Sequence, residues 1–200
     1  MKALLLSDNV DAYIEYENKL KKHLTDAGFD QQFSAEGCYT LLYQLVQHKP
    51  DVVIIITETP TEELLDTIKH IKNELPLPIV VMAKRSDTET TLATTSCGVS
   101  VYIIDDWPLA RINKVLEVAQ ARFQIQQQQE SKLILYKNRL EGRKYLDKAK
   151  GILMEHRKIS ENDAHGLLRK MAMDQNLTIS EVAQKMIEAQ SVLKGNPKRL

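Results

Sequence analysis

Chemistry at the carboxyl edge of an α/β sheet is done by side chains that stand just past the strands, and in this sequence those positions are poor in oxygen. Asp8 follows KALLLS, Glu58 follows VVIIIT, and Asp105 with Asp106 follows VYII. Clustered carboxylates there would hold a divalent cation, but Asp8 and Glu58 alone make a thin cage. His23, His48, His70, His156 and His165 are scattered, with no HxxxH or Cys/His cluster, so no metal site is expected. Neither a Gly-rich phosphate loop nor a GxSxG elbow is present. These residues point to a protein that makes and breaks no bond and uses no cofactor.

Charge offers a second kind of site. The net charge is zero, yet residues 1–129 carry 12 Lys+Arg against 18 Asp+Glu, and residues 130–200 carry 15 against 9. A basic end on an acidic chain suggests a polyanionic partner. Arg143, Lys144, Lys148, Lys150, Arg169 and Lys170 lie on helical stretches beside Gly151, Met154, Gly166 and Met173. Cations flanking small and flexible apolar residues suit a looped single strand, where phosphates need charge and splayed bases need a flat contact. A mid-helix glycine costs about 1 kcal/mol against alanine, so Gly151 calls for close approach of another backbone or a nucleotide. Stacking platforms are scarce, Tyr136 and Tyr145 being the aromatics of this end. For each basic residue the plain alternative is a solvated helix face.

The elements that position these residues fall into two parts. Apolar strands at 2–7, 29–34, 52–56, 78–83 and 101–104 alternate with helical stretches at 10–28, 38–49, 61–75 and 86–97, and a helix begins after Trp107-Pro108. Strands that are apolar throughout, each followed by a helix, imply a parallel sheet covered on both faces, a doubly wound (βα)5 domain. The fifth helix then continues with no proline from Ala110 to His156. A heptad seam runs through Ile112, Leu116, Ala119, Phe123, Gln126, Glu130, Leu133, Lys137 and Leu140, with QIQQQQE in its middle. The spacing favours a parallel coiled coil between two protomers; the alternative is a helical linker with incidental spacing. Three amphipathic helices follow as a small bundle. Tyr145, Leu146, Ala149, Ile152, Leu153 and His156 share one face. Ser160 with Asp163 and Thr178 with Glu181 carry capping signatures for the next two.

The chain of 200 residues has no apolar run near the roughly 20 residues of a membrane span and no signal-peptide pattern. Cys38 and Cys97, without CxxC spacing, suggest reduced, buried thiols and a cytoplasmic setting.

AKGILM (149–154) followed by SENDAHGLLRKMAM (160–173) resembles the ANTAR domain, an RNA-binding antitermination module, and the (βα)5 part resembles a response-regulator receiver. Together they are similar to antiterminators of the NasT/AmiR kind, and GVSVYIID (98–105) with the coiled-coil stretch brings the likeness nearer the nitrate type. The resemblance implies a pseudo-receiver over 1–122, a coiled-coil linker helix over 110–140 and an ANTAR domain over 138–196. It also implies binding of hairpin loops in nascent leader mRNA that prevents termination, a homodimer, and a ligand-sensing partner of the NasS/AmiC kind, in nitrate or nitrite assimilation. No cofactor, enzymatic activity or membrane association is implied. Mapped onto the receiver pattern, the acidic pair falls on Ser7 and Asp8, the phosphoacceptor on Ile56, four residues before Pro60, the hydroxyl residue on Ala83 and the lysine on Asp105. Phosphorylation is therefore disfavoured. Two alternatives stay open: a phosphorylation-gated regulator using Glu58 or a displaced residue, and a DNA-binding helix-turn-helix, which Glu181 and Glu188 on the last helix disfavour by repelling phosphates.

Overall fold

The computed structural model describes residues 1–7, 10–105, 107 and 109–193. Strands β1 (Lys2–Ser7), β2 (Gln31–Glu36), β3 (Val52–Thr57), β4 (Ile79–Ala83) and β5 (Val101–Ile104) form one parallel sheet in the order β2-β1-β3-β4-β5. Between them run α1 (Val10–Asp26), α2 (Gly37–His48), α3 (Glu62–Glu74) and α4 (Thr88–Ser96). A 3-10 turn at Leu109–Arg111 leads into α5 (Ile112–Arg157), followed by α6 (Glu161–Asp174) and α7 (Ile179–Leu193). The (βα)5 doubly wound sheet, the long helix and the further helices expected from the sequence are all present.

The chain divides into two compact units, 1–127 and 128–200. In the first, period-2 alternation sends Ala3, Leu5, Val52, Ile54, Ile56 and Met82 into a core with α1 and the start of α5. The residues between them, including Leu4, Leu6, Val53, Ile55 and Val81, pack with α2 and α3. Thr61 and Asp87 cap α3 and α4 by accepting from the backbone N–H of Leu64 and Thr90. In the second unit Ala149 and Leu153 of α5 meet Ala164, Leu168 and Ala172 of α6 and Val182 and Ala183 of α7. Thr178 and Glu181 make a reciprocal capping box: the Thr178 N–H donates to Glu181 Oε2 at 2.7 Å and the Glu181 N–H to Thr178 Oγ1 at 3.2 Å. At the start of α6, Ser160 Oγ accepts from the Asp163 N–H at 3.2 Å but donates its own proton to Asp163 Oδ2 at 2.6 Å, so only half of the expected box forms.

The structure changes three expectations. The second strand is 31–36 rather than 29–34, because register with β1 begins at Lys2↔Gln31 and leaves Phe29 as a buried loop residue. Cys97 is buried as expected but Cys38 is only partly covered, and both thiols are free. Finally, Ile112, Leu116 and Ala119 are spent in the core of the first unit, so the expected heptad seam does not start there. Exposed apolar residues of α5 begin at Val118 and Ile125 and cluster at Leu133, Ile134, Leu135, Tyr136 and Leu140.

Two glycines inside α5 carry opposite meanings. A Cβ at Gly142 would stand 2.7 Å from Ser180 Oγ and 3.1 Å from Ser180 Cβ, so this glycine admits α7 to the helix surface. A Cβ at Gly151 would meet nothing within 4 Å. Gly142→Ala is therefore expected to lower the melting transition of the chain, and Gly151→Ala to raise stability by about 1 kcal/mol through helix propensity. Calorimetry of the two variants checks this; shifts of the same sign would defeat the assignment.

Candidate functional site

At the carboxyl edge of the sheet the residue types dictate closure. Ile56 is fully buried in the α1-side core, and Thr57, on the opposite face, turns its hydroxyl back to donate to the Thr59 carbonyl at 3.1 Å. Ala83 is buried at the end of β4, Asp105 is exposed with φ 67, and Ser7 is buried with no hydroxyl partner among the described residues. Asp8 lies outside the described residues. Glu58 accepts a 2.6 Å hydrogen bond from the Tyr13 hydroxyl and lies 3.4 Å from Arg85 Nε.

Above this edge sits an aromatic cluster that the sequence reading missed. Trp107 packs edge-on against Tyr13 and Tyr16, with centroids at 5.1 and 4.7 Å, and its indole N–H donates to the Ala83 carbonyl at 3.3 Å. Lys84 Nζ lies 5.8 Å over the same ring. The available signal was the i, i+3 pair of tyrosines on α1 together with the sole tryptophan after β5. The edge therefore has the aliphatic Ile56 near the end of β3 and an indole hydrogen-bonded to the end of β4. Among the described residues no group of three His, Cys, Asp or Glu side chains comes together as a metal site.

The second unit holds the basic candidates on two helices. Lys150 is drawn inward: its ammonium donates to Asp147 at 2.9 Å and to Glu161 at 2.7 Å, tying α5 to the start of α6. Only 15% of its side chain is exposed, where a free contact residue was expected. Arg143 adds a favourable field at Asp147. Lys144 and Lys148 are exposed and share the i, i+4 row of α5 that continues to Ile152 and His156. Arg169 and Lys170 are exposed on α6, beside the open Gly166 and Met173, which is 71% exposed. Among the described residues, Lys144, Lys148, Arg169 and Lys170 make no ion pair. The structure thus brings Arg143 and Lys150 into one charged ladder and leaves the other four cations free for an external anion.

Residues 136–187 match the model of the ANTAR domain. The chain is 28% identical over 141 residues to the transcriptional regulatory protein PdtaR of Mycobacterium tuberculosis, covering 70% of this chain and 69% of that one. Over 72 residues it is 38% identical to the nitrate regulatory protein of Klebsiella oxytoca, covering 36% of this chain and 18% of that protein. Its sheet domain is similar to a two-component response regulator from Clostridium difficile, with a TM-score of 0.51 and 20% identity over 61% of this chain and 98% of the other. That likeness concerns the fold alone. The segment 136–187 is thus similar to an ANTAR domain, and it is preceded by a sheet domain of receiver-like fold. No described helix is long and apolar enough to cross a membrane.

The Lys150 bridge sets a pH dependence. Hydrogen bonds to Glu161 and Asp147 raise the Lys150 ammonium above its ordinary 10.5, so its contribution is full below that value and is lost as pH rises through the higher folded value. The Lys150 hydrogen bond lowers the Asp147 carboxyl below its ordinary 3.8, so its contribution is full above that value and is lost as pH falls through the lower folded value. The difference in melting temperature between the native chain and Lys150→Met is expected to be largest between those limits and to shrink outside them. A difference independent of pH would sink the bridge as a stabilising element.

Proposed function

We propose that this ANTAR-domain chain is an RNA-binding transcription antiterminator that holds hairpin loops of nascent leader mRNA and prevents termination. The observation that carries the reading is the ANTAR match over 136–187, on a three-helix unit whose exposed Lys144, Lys148, Arg169 and Lys170 are unpaired among the described residues. Binding needs no covalent step. Free cations release counterions from a phosphate backbone, and single-stranded loops expose bases to the protein. The relatives' names support the regulatory class, PdtaR being a transcriptional regulatory protein.

The receiver-like domain acts as a docking module. Ile56 has no oxygen to phosphorylate, Ala83 and Asp105 replace the hydroxyl and the lysine of the receiver pattern, and Trp107 packs over the edge. Control passes instead to a ligand-sensing protein partner of the NasS/AmiC kind. The chain works as a homodimer paired through the exposed apolar residues of α5 from Leu133 to Leu140. Nitrate or nitrite assimilation is proposed on the motif resemblance and on the match to the nitrate regulatory protein, which covers 36% of this chain.

A labelled leader RNA with stem-loops is expected to shift in a gel with the purified chain, and to release steeply as salt rises. Lys148→Glu or Arg169→Glu is expected to weaken binding and to flatten the salt slope by about one per lost phosphate contact. Equal affinity for duplex DNA of the same length would remove the RNA assignment. Incubation with acetyl phosphate and Mg²⁺ is expected to leave the intact mass unchanged; a phosphoryl adduct would restore the phosphorylation-gated alternative.

A further inference from the structure

A groove of about 620 Å³ opens in the second unit between α5, α6 and α7. Its volume falls within the roughly 300–1,000 Å³ of small-molecule sites. Ile152, Met171 and Met186 supply apolar wall, while His156, Lys185 and Gln190 bring polar groups to the same opening. The Gln190 amide N–H donates to His156 Nε2 at 3.3 Å, which leaves the amide oxygen as an acceptor and the second N–H as a donor for a planar heterocycle. The groove does not stand alone in charge. Lys144 and Lys148 precede Ile152 on one i, i+4 row of α5, which makes a basic track that ends at the groove wall. On the α7 side Lys185 lines it directly. The neighbouring acids are Glu155 of α5, Asp174 of α6 and Glu188 of α7, so phosphates approach over Lys144 and Lys148 on the N-terminal side of the groove.

We propose that this groove is a base pocket, which takes one nucleobase splayed out of a single-stranded RNA loop. The faces of the base lie against Ile152, Met171 and Met186. Its hydrogen-bonding edge meets His156 and Gln190, and the flanking phosphates lie on Lys148 and Lys185. The inference rests on the RNA-binding reading above and adds where, and by what chemistry, a loop is read. Methionine suits such a wall because its flexible, polarisable side chain adapts to a flat π surface. A partner helix is the other occupant that an apolar groove admits, but it would desolvate Lys185 and the His156–Gln190 pair without a matching charge. A polyanion with a heteroaromatic base uses all three.

The test uses the full chain with ¹³C-methyl methionine and, as probe, a stem-loop RNA selected for binding from a pool with a randomised loop. The same RNA is prepared with each loop base removed in turn. Addition of RNA is expected to move the Met171 and Met186 methyl resonances upfield by ring current. One abasic position is expected to weaken binding by about tenfold and to abolish that shift. Ala189→Trp, at an exposed position lining the groove, is expected to fill it and to weaken binding similarly with the melting transition unchanged. RNA binding with both methyl resonances unmoved and Ala189→Trp silent overturns the pocket and leaves the RNA-binding reading standing. Failure of every stem-loop to bind overturns both. Methyl shifts that grow with protein concentration in the absence of RNA assign the groove to a second copy and also overturn the proposal.

Discussion

Desolvation of β3 on both faces is the constraint on which the first unit depends. Every residue from Val52 to Thr57 is buried, with β1 on one side and β4 on the other. A strand in that position tolerates a charged side chain only where the sheet edge gives it water, a cation or hydrogen-bond donors. Ile56 sits at the last such place and contributes instead the roughly 1.5–3 kcal/mol of a buried aliphatic side chain. The surrounding residues then fit an apolar edge: Ala83 presents no hydroxyl, and the Trp107 indole covers the end of β4 and takes up its carbonyl. Of the polar residues that remain, Glu58 is satisfied by Tyr13 and Arg85, and Thr57 by the Thr59 carbonyl. A switch site cannot be rebuilt there by one substitution. Aspartate at 56 would bury a charge against Ile54 and Met82 without a cation to stabilise it.

The second unit solves a different problem, since three short helices offer little apolar area. Its core uses small residues at the crossings, with Ala149, Ala164, Ala172 and Ala183 each almost inaccessible. Close packing lets backbones approach, and the Gly142–Ser180 contact is the tightest case of it. The charged tie from Lys150 to Asp147 and Glu161 adds direction, fixing the start of α6 against α5. Small core residues have a second consequence. They leave the larger side chains Ile152, Met171 and Met186 half-covered around the groove, where a bulkier core would have filled it.

Much of this was legible from residue patterns alone. Continuous branched aliphatics in β1, β3 and β4 announced strands buried on both faces, and Ser160 and Thr178 marked helix starts to the residue. The failures share a physical cause: they concern what packs against what at a distance. QQFSAE alternates weakly, so the apolar Phe29 drew the second strand two residues early, although pairing with β1 decides its register. Ile112, Leu116 and Ala119 have coiled-coil spacing because a helix packed on a sheet needs the same stripe as a helix packed on another helix. Lys150 looked like a surface cation because nothing local predicts Glu161, eleven residues on, as its partner. The Trp107 cluster unites α1 with the segment after β5, which no window of sequence spans.

The two glycines of α5 show how far a local rule reaches. Both carry the same propensity cost, and from sequence Gly151 called for a neighbour at close range. At Gly142 the neighbour is in the chain, and the cost is offset by helix packing. At Gly151 the same cost is offset by no neighbour among the described residues, since a methyl group would meet none of them within 4 Å. Its surroundings are Lys148 one turn before, the half-buried Lys150 beside it and the groove wall at Ile152. A destabilising residue kept bare next to a basic track and an apolar groove is the expected signature of a surface shaped for contact with something outside the fold. Charge alone selected six candidate positions over two helices. The unexplained backbone cost at Gly151 marks the stretch of α5 from Lys144 to His156 as the part of that surface where charge, bare backbone and the groove wall meet.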